Sequence, residues 1–239
     1  MGQGIFQQQR NGLFAVNISS PGGIFTVDQL AGLAKTAAEL NVWRIKCGTR
    51  QTLIVLLEEE KIDALINSIK KLGLKVSPFG STVRSVKSCA GGEGLCPRML
   101  GDALELGMEI EKKYLGQPTP KDFKISTSGC SRGCTEPYCA DFGVVATGKN
   151  MYSIIIGGRG STKQPIHGSI IAKDVPKDKV FAVLDFVLNK YRQWGEEHER
   201  LCKTIERVGL KEFTPPEDMY AADGAAVDED FAKFLLGED

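Results

Sequence analysis

The stretch 13–18, Leu13-Phe14-Ala15-Val16-Asn17-Ile18, followed by the turn Ser20-Pro21-Gly22-Gly23, decides how the first third of the chain is read. Its apolar, partly β-branched run has the character of a strand. Over 26–40 the period changes, with Leu30, Leu33, Ala34, Ala37 and Ala38 recurring at helical spacing. Residues 42–46 and 52–57 return to strand character across a polar turn. Residues 59–72 are helical again through Ile62, Leu65, Ile66 and Ile69, until Gly73 stops the helix.

The order βαββα predicts a split-βαβ, ferredoxin-like half-domain over residues 1–80, closing near Phe79-Gly80. From Ser81 the composition shifts to a loop rich in glycine and cysteine. A helix is expected from near Pro97 to about Leu115, because the fixed φ of proline suits a first helical position. A short strand at 123–126, a second cysteine loop, strands at 142–147 and 152–156 and two packing helices at 179–194 and 196–208 complete a mixed α/β domain over 81–216. The fold class is therefore α+β. From Glu217 the chain turns acidic and rich in Ala and Gly, with one apolar patch at Phe231, Phe234, Leu235 and Leu236. Residues 217–239 are expected to form a mobile arm.

With 239 residues, 42% of them apolar, and 30 Lys and Arg balanced by 30 Asp and Glu, the composition is that of a soluble globular protein with a real core. No apolar run in it approaches the ~20 residues of a membrane span. The Gln-rich start lacks an apolar signal region, and Phe6 stands where a myristoylation signal needs Ser or Thr, so a cytoplasmic location is expected. Zero net charge argues against a protein that coats nucleic acid.

Seven cysteines in such a chain invite attention, and five of them, Cys89, Cys96, Cys130, Cys134 and Cys139, share one segment. Two Gly-flanked loops, Cys89-x6-Cys96 and Cys130-x3-Cys134, present four thiols that can hold a zinc ion or a cubane iron–sulfur cluster. The long first gap suits a cluster better than a zinc knuckle. Inert cysteines belong in apolar surroundings, and these are polar and Gly-rich. Cys139 reads as a thiol beside the site rather than a ligand. Basic residues recur in loops around this region: Arg44, Lys46, Arg50, Arg84, Lys87, Lys121, Lys124, Arg132 and Arg159. Convergence of that set from separate segments of a neutral chain implies an anionic ligand. Gly157-Gly158-Arg159-Gly160 is a weak anion-cradle signal, since it lacks P-loop or Rossmann spacing, and His167 and His198 read as surface histidines.

Several of these motifs together resemble the nitrite/sulfite reductase family. They are Lys46-Cys47-Gly48-Thr49-Arg50-Gln51-Thr52, Arg84 ahead of Cys89 and Cys96, Pro120-Lys121-Asp122-Phe123-Lys124, and Ser128-Gly129-Cys130-x3-Cys134 with Pro137 and Asp141-Phe142-Gly143. The likeness runs from the first strand to Arg207-Val208-Gly209 and points to the small, single-half members. It implies a [4Fe–4S] cluster on Cys89, Cys96, Cys130 and Cys134, with Cys134 also the axial ligand of a sirohaem. By the same resemblance Lys46, Arg50, Gln51, Arg132 and Arg159 are expected to bind the sirohaem carboxylates. Arg84, Lys124 and Lys121 are expected to bind and protonate the substrate anion.

The expected activity is the six-electron reduction of sulfite or nitrite, with electrons from a separate ferredoxin-like or flavoprotein donor, in a monomer or a homodimer. The alternatives are a non-catalytic iron–sulfur carrier or sirohaem-binding protein with a degenerate anion site, and a zinc-structured binding module. Four departures from the family pattern bear on these expectations. The first cysteine gap is six residues instead of five, and Ser131-Arg132 replaces Pro-Asn. Asn17 stands near the place of a substrate-binding Arg, and Asp122 stands where a Lys is expected, which makes the anion pocket less positive.

Overall fold

The computed structural model describes residues 4–7, 11–92 and 94–221. The first sheet is antiparallel and contains β1 (Ile5–Gln7), β2 (Phe14–Ser19), β3 (Arg44–Cys47), β4 (Leu53–Leu57) and β5 (Lys75–Val76). All six residues of β2 are buried, because it is flanked by β4 on one side and by β1 and β5 in succession on the other. Its apolar residues meet α1 (Val27–Glu39) and α2 (Ile62–Lys71) in a core built on Phe14, Val16, Ile18, Leu33, Val55, Leu57, Leu65 and Ile69. Thr26 and Gln29 start α1 with a reciprocal capping box, Gln29 N donating to Thr26 Oγ1 at 3.1 Å and Thr26 N to Gln29 Oε1 at 3.0 Å. The expected βαββα order is present, extended by the short edge strands β1 and β5.

The second sheet runs β10-β9-β8-β7-β6, formed by β6 (Lys87–Ser88), β7 (Ile125–Ser128), β8 (Phe142–Gly148), β9 (Met151–Ile156) and β10 (Ser169–Pro176). Strands β6, β7 and β8 are parallel, and β9 and β10 continue antiparallel. The helices α3 (Ala103–Tyr114), α4 (Val180–Trp194) and α5 (Leu201–Val208) cover it. Their apolar positions, among them Leu106, Ile110, Val183, Leu184, Val187 and Tyr191, join Phe123, Phe142 and Ile154 in the larger core. The fold is α+β.

The two layers meet across a polar seam. Arg50, in the turn between β3 and β4, donates from Nε to Ser85 O at 2.7 Å and from Nη2 to Ile125 O at 2.6 Å. Gln51 grips the backbone of Ser88 with both ends of its amide, at 2.7 and 2.9 Å. Glu111 of α3 is buried at the same seam, accepting from Val86 N at 2.9 Å, with Gly22 N a further donor. Gly107 lets α3 lie directly on β6 and β7, since a Cβ there would stand 1.9 Å from Ser88 Oγ and 2.8 Å from Thr127 Oγ1.

Several elements differ from their sequence expectation. The helix expected from Pro97 begins at Ala103, where Asp102 caps it by accepting from Glu105 N at 2.8 Å. Residues ahead of it turn toward the opposite loop instead, with Leu100 N donating to Gly129 O at 2.7 Å and Ala103 N to Gly91 O at 2.8 Å. The strand expected at 123–126 is Ile125–Ser128, because Phe123 is spent on the core and on bridging Val83. The helix expected from Glu196 starts at Leu201, since Glu199 and Arg200 are drawn into side-chain pairing. Strand β10, whose residues alternate poorly, has no counterpart in the sequence reading. Of the acidic segment from Glu217, the described part is a 3-10 turn, Glu217–Met219, with Tyr220 packed on the larger core. Residues 222–239, with Phe231, Phe234, Leu235 and Leu236, lie outside the described residues.

Two predictions test this seam. Gly107→Ala is expected to lower stability by about 1–3 kcal/mol through overpacking of α3 against β6, read from denaturant unfolding. Burial raises the Glu111 carboxyl from 4.5 to about 7, so the folded chain holds a proton that an unfolded one releases. Stability is therefore expected to fall as pH rises between ~4.5 and ~7 and to level off above. Glu111→Gln should flatten that slope, and an equally steep pH profile in the variant would refute the assignment.

Candidate functional site

The parallel pairing of β6 with β7 (Lys87↔Ser126, Ser88↔Thr127) brings two chain segments to the same carboxyl end of a sheet, where α/β proteins place their ligands. Cys89 follows β6 directly, and Cys130 follows β7 after Gly129. The loops are stitched together by Cys89 N donating to Thr127 O at 3.0 Å. Two backbone amides, Gly91 N at 3.2 Å and Gly129 N at 3.1 Å, donate to Cys89 Sγ. These two amides turn both loops onto one sulfur. A Cβ on Gly91 would stand 2.9 Å from that sulfur, and one on Gly129 would stand 3.0 Å from Gly101 O, so both glycines are needed for the approach.

Cys89, Cys96 and Cys130 are half-buried and Cys134 is exposed. Among the described residues no three Cys, His, Asp or Glu side chains gather closely enough to hold one metal ion, which a zinc knuckle requires. A cubane carries its cysteines on different irons, so its thiols stand further apart.

Beside these loops lies a cavity of roughly 440 Å³ whose wall includes Arg50, Lys87, Lys124, Arg159 and Arg200. Arg159 follows β9, pairs its backbone with Ile166 and lines the cavity. Its Nε is buried with no partner, a donor waiting for an anion. Arg50 is anchored on two carbonyls and has its pKa lowered to about 10 by burial and by nearby Arg84, so it remains a cation at neutral pH. Cys139 also lines this cavity, while Cys202 is buried in the core and Cys47 is exposed on β3.

A charged cluster stands behind two residues of the cavity wall, Lys124 and Arg200. Asp141, fully buried at the start of β8, accepts from Lys124 N at 2.9 Å and from Arg200 Nη2 at 2.8 Å. Asp122 Oδ2 lies 3.3 Å from Arg200 Nη1, 3.6 Å from Lys124 Nζ and 3.8 Å from Arg84 Nη1. Burial, then repulsion from Arg200, lowers the Lys124 pKa, with Asp122 and Asp141 opposing. Burial also lowers Arg84 against the attraction of Asp122. For Arg200 burial is outweighed by the two carboxylates, and its pKa is raised. Burial raises Asp141 in spite of Arg200.

The structure therefore brings Arg50, Lys124 and Arg159 of the expected site residues to one cavity. Arg84 is absent from its wall. It is buried, donates to Pro78 O at 3.0 Å, lies 4.2 Å over the Phe79 ring and faces Asp122. Gln51 is spent on Ser88. Lys46 lies exposed on β3 and donates to Cys47 O at 3.0 Å, Arg132 is exposed in the second cysteine loop, and Lys121 is half-buried before Asp122. The sequence reading missed Arg200, which sits in a charged run without a motif and meets Asp122 only through the fold.

The comparisons with known proteins agree with this geometry. Residues 79–215 match the family model of the nitrite and sulphite reductase 4Fe-4S domain, and residues 5–72 match that of the nitrite/sulfite reductase ferredoxin-like half domain. The chain is 31% identical over 201 residues to a nitrite reductase [NAD(P)H] of Emericella nidulans, covering 84% of this chain and 18% of that protein. It is 27% identical to an assimilatory-type sulfite reductase of Nitratidesulfovibrio vulgaris, covering 87% and 94%. The chain thus spans about a fifth of the length of the nitrite reductases it matches and nearly the whole of this sulfite reductase. In fold it is similar to the Mycobacterium tuberculosis NirA protein, with a TM-score of 0.76 at 19% identity, over 88% of this chain and 44% of that one. Among the described residues no helix is long and apolar enough to cross a membrane. The chain belongs to the nitrite/sulfite reductase family, whose [4Fe–4S] cluster and sirohaem are the cofactors that its cysteine loops and basic cavity are suited to hold.

Proposed function

We propose that this chain catalyses the six-electron reduction of sulfite or nitrite. The observation that carries this reading is the juxtaposition of two cysteine loops at parallel strand ends with a cavity lined by five basic side chains. In it Cys89, Cys96, Cys130 and Cys134 would hold the cluster, with Cys134 also available to the sirohaem. Arg159, with its free Nε, would bind a sirohaem carboxylate, with Arg50 beside it in the cavity wall and Lys46 and Arg132 as exposed cations of the neighbouring segments. The role of Gln51 is to fix the strand that carries Cys89 through its bonds to Ser88. Residues 1–80 form the supporting half-domain, and 81–216 carry the cofactors. When bound, the cofactor pair supplies electrons one at a time to the substrate.

The chain's own residues supply charge and protons. Lys124 lies at the cavity with a lowered pKa, and its Nζ can hand over one of the two protons that a substrate oxygen takes up on leaving as water, the other coming from solvent. Arg84 acts from behind Asp122, adding positive potential, and Lys121, next to Asp122 in the chain, adds charge to the same segment. The electrons come from a separate ferredoxin-like or flavoprotein donor. The work is placed in the cytoplasm, in a monomer or a homodimer. A second reading, a sirohaem-binding protein or electron carrier without turnover, is favoured by Asp122 standing within the cationic cluster.

The optical spectrum of anaerobically purified protein, with acid–acetone extraction and an iron assay, is expected to show sirohaem with an iron–sulfur cluster. A cluster alone, in protein made with sirohaem available, would instead support the carrier. Cys134→Ser is expected to lose both cofactors and Cys139→Ser to keep them, and the reverse result would overturn the ligand assignment. In viologen-driven assays Lys124→Ala should lower kcat by roughly a hundredfold or more, whereas Arg84→Ala should act mainly on KM. Unchanged turnover in the first variant would remove Lys124 from the mechanism.

A further inference from the structure

Asp122 is an unusual occupant of an anion site. Its Oδ2 lies between 3.3 and 3.8 Å from three cationic groups, Arg200 Nη1, Lys124 Nζ and Arg84 Nη1, where a substrate oxyanion would find the same partners. Two of the three, Lys124 and Arg200, line the cavity beside the cysteine loops. Arg200 has a buried Nε without a partner. The second carboxylate, Asp141, is wholly buried and already committed to Arg200 and to the backbone of Lys124. Three cations against two carboxylates leave the cluster one net positive charge, which Lys124 and Arg200 present to the cavity, while Lys87 of the wall is neutralised by Glu136 at 2.6 Å.

We propose that Asp122 is the specificity-determining residue of this site, reserving it for a monovalent oxyanion of the nitrite class over the dianion of sulfite, with Arg200 as the third cation that holds the substrate. The proposal rests on the reading of this cavity as the anion site and deepens it. A substrate arriving beside Lys124 and Arg200 meets a fixed negative charge within a few ångströms. That repulsion acts once on a monoanion and twice on a dianion, in surroundings where water screens poorly. Arg84 is held by Pro78 and Phe79, so it cannot swing free of Asp122 to compensate. The pocket therefore discriminates by charge before geometry acts.

Isothermal titration of the purified full chain with nitrite and with sulfite, at pH 8 and without reductant, reads this selectivity directly. Sulfite is mostly the dianion at that pH. The wild-type chain is expected to bind nitrite at least as tightly as sulfite. Asp122→Asn should improve sulfite relative to nitrite by about tenfold or more, because one charge is removed at close range. Asp122→Glu, which keeps the charge, should leave the ratio near that of wild type. A wild-type preference for sulfite, an unchanged ratio in Asp122→Asn, or no binding of either anion overturns the proposal. If Asp122→Asn fails to fold, Asp122→Ser makes the same comparison, and the wild-type preference decides by itself. A chain that binds the anions in the expected order yet reduces neither refutes the reductase reading and leaves this one standing.

Discussion

A guanidinium buried between the two layers is the constraint on which the rest of the site depends. Arg50 reaches from the β3–β4 turn to Ser85 O and Ile125 O, one carbonyl just before β6 and the other at the start of β7. Those carbonyls flank the parallel pair β6 and β7, and Arg50 holds the two segments side by side from outside the sheet. A buried charge without partners would cost several kcal/mol, so the carbonyls and the guanidinium require one another. Gln51 repeats the grip one step further along β6. The first half-domain thus serves the second by fixing the register of the strand pair that carries the cysteines.

From that register the site follows with little freedom. Parallel strands release their loops at a common end, and there Cys89 and Cys130 emerge beside each other. Gly91 and Gly129 allow the two backbones to close on one sulfur, and Gly107 lets α3 press the pair from the opposite side. Each of these glycines is needed for a close approach rather than for a left-handed backbone. The loops brace one another, Leu100 N donating to Gly129 O and Ala103 N to Gly91 O.

The charges are arranged by a different principle. Asp141 is buried with one oxygen, Oδ1, lacking a partner, and Arg200 is buried with its Nε likewise unpaired. Such an ion pair gains little net stability, since the desolvation of both groups offsets their attraction. Its effect is positional. It holds the guanidinium of a residue at the start of α5 against β8, next to Lys124, and gives the cavity a cation that no neighbouring motif supplies.

Local chemistry in the sequence was enough to specify the βαββα order of the first layer, the α+β class and the cysteine loops. Helical and strand periodicity report which face each segment buries, and the Gly-flanked cysteines keep their meaning in any fold. Resemblance added the family, and the sequence already held Asp122 and Asn17 as departures from its pattern. Only the tertiary structure decided that Pro97 precedes a loop and not a helix, that Arg50 is an anchor as well as a cation, that Arg84 faces Asp122 rather than the cavity, and that Arg200 completes the cluster. The reason is physical: periodicity and capping act over a few residues, whereas a charge finds its partner through space, and Asp122 and Arg200 meet across 78 positions of the chain.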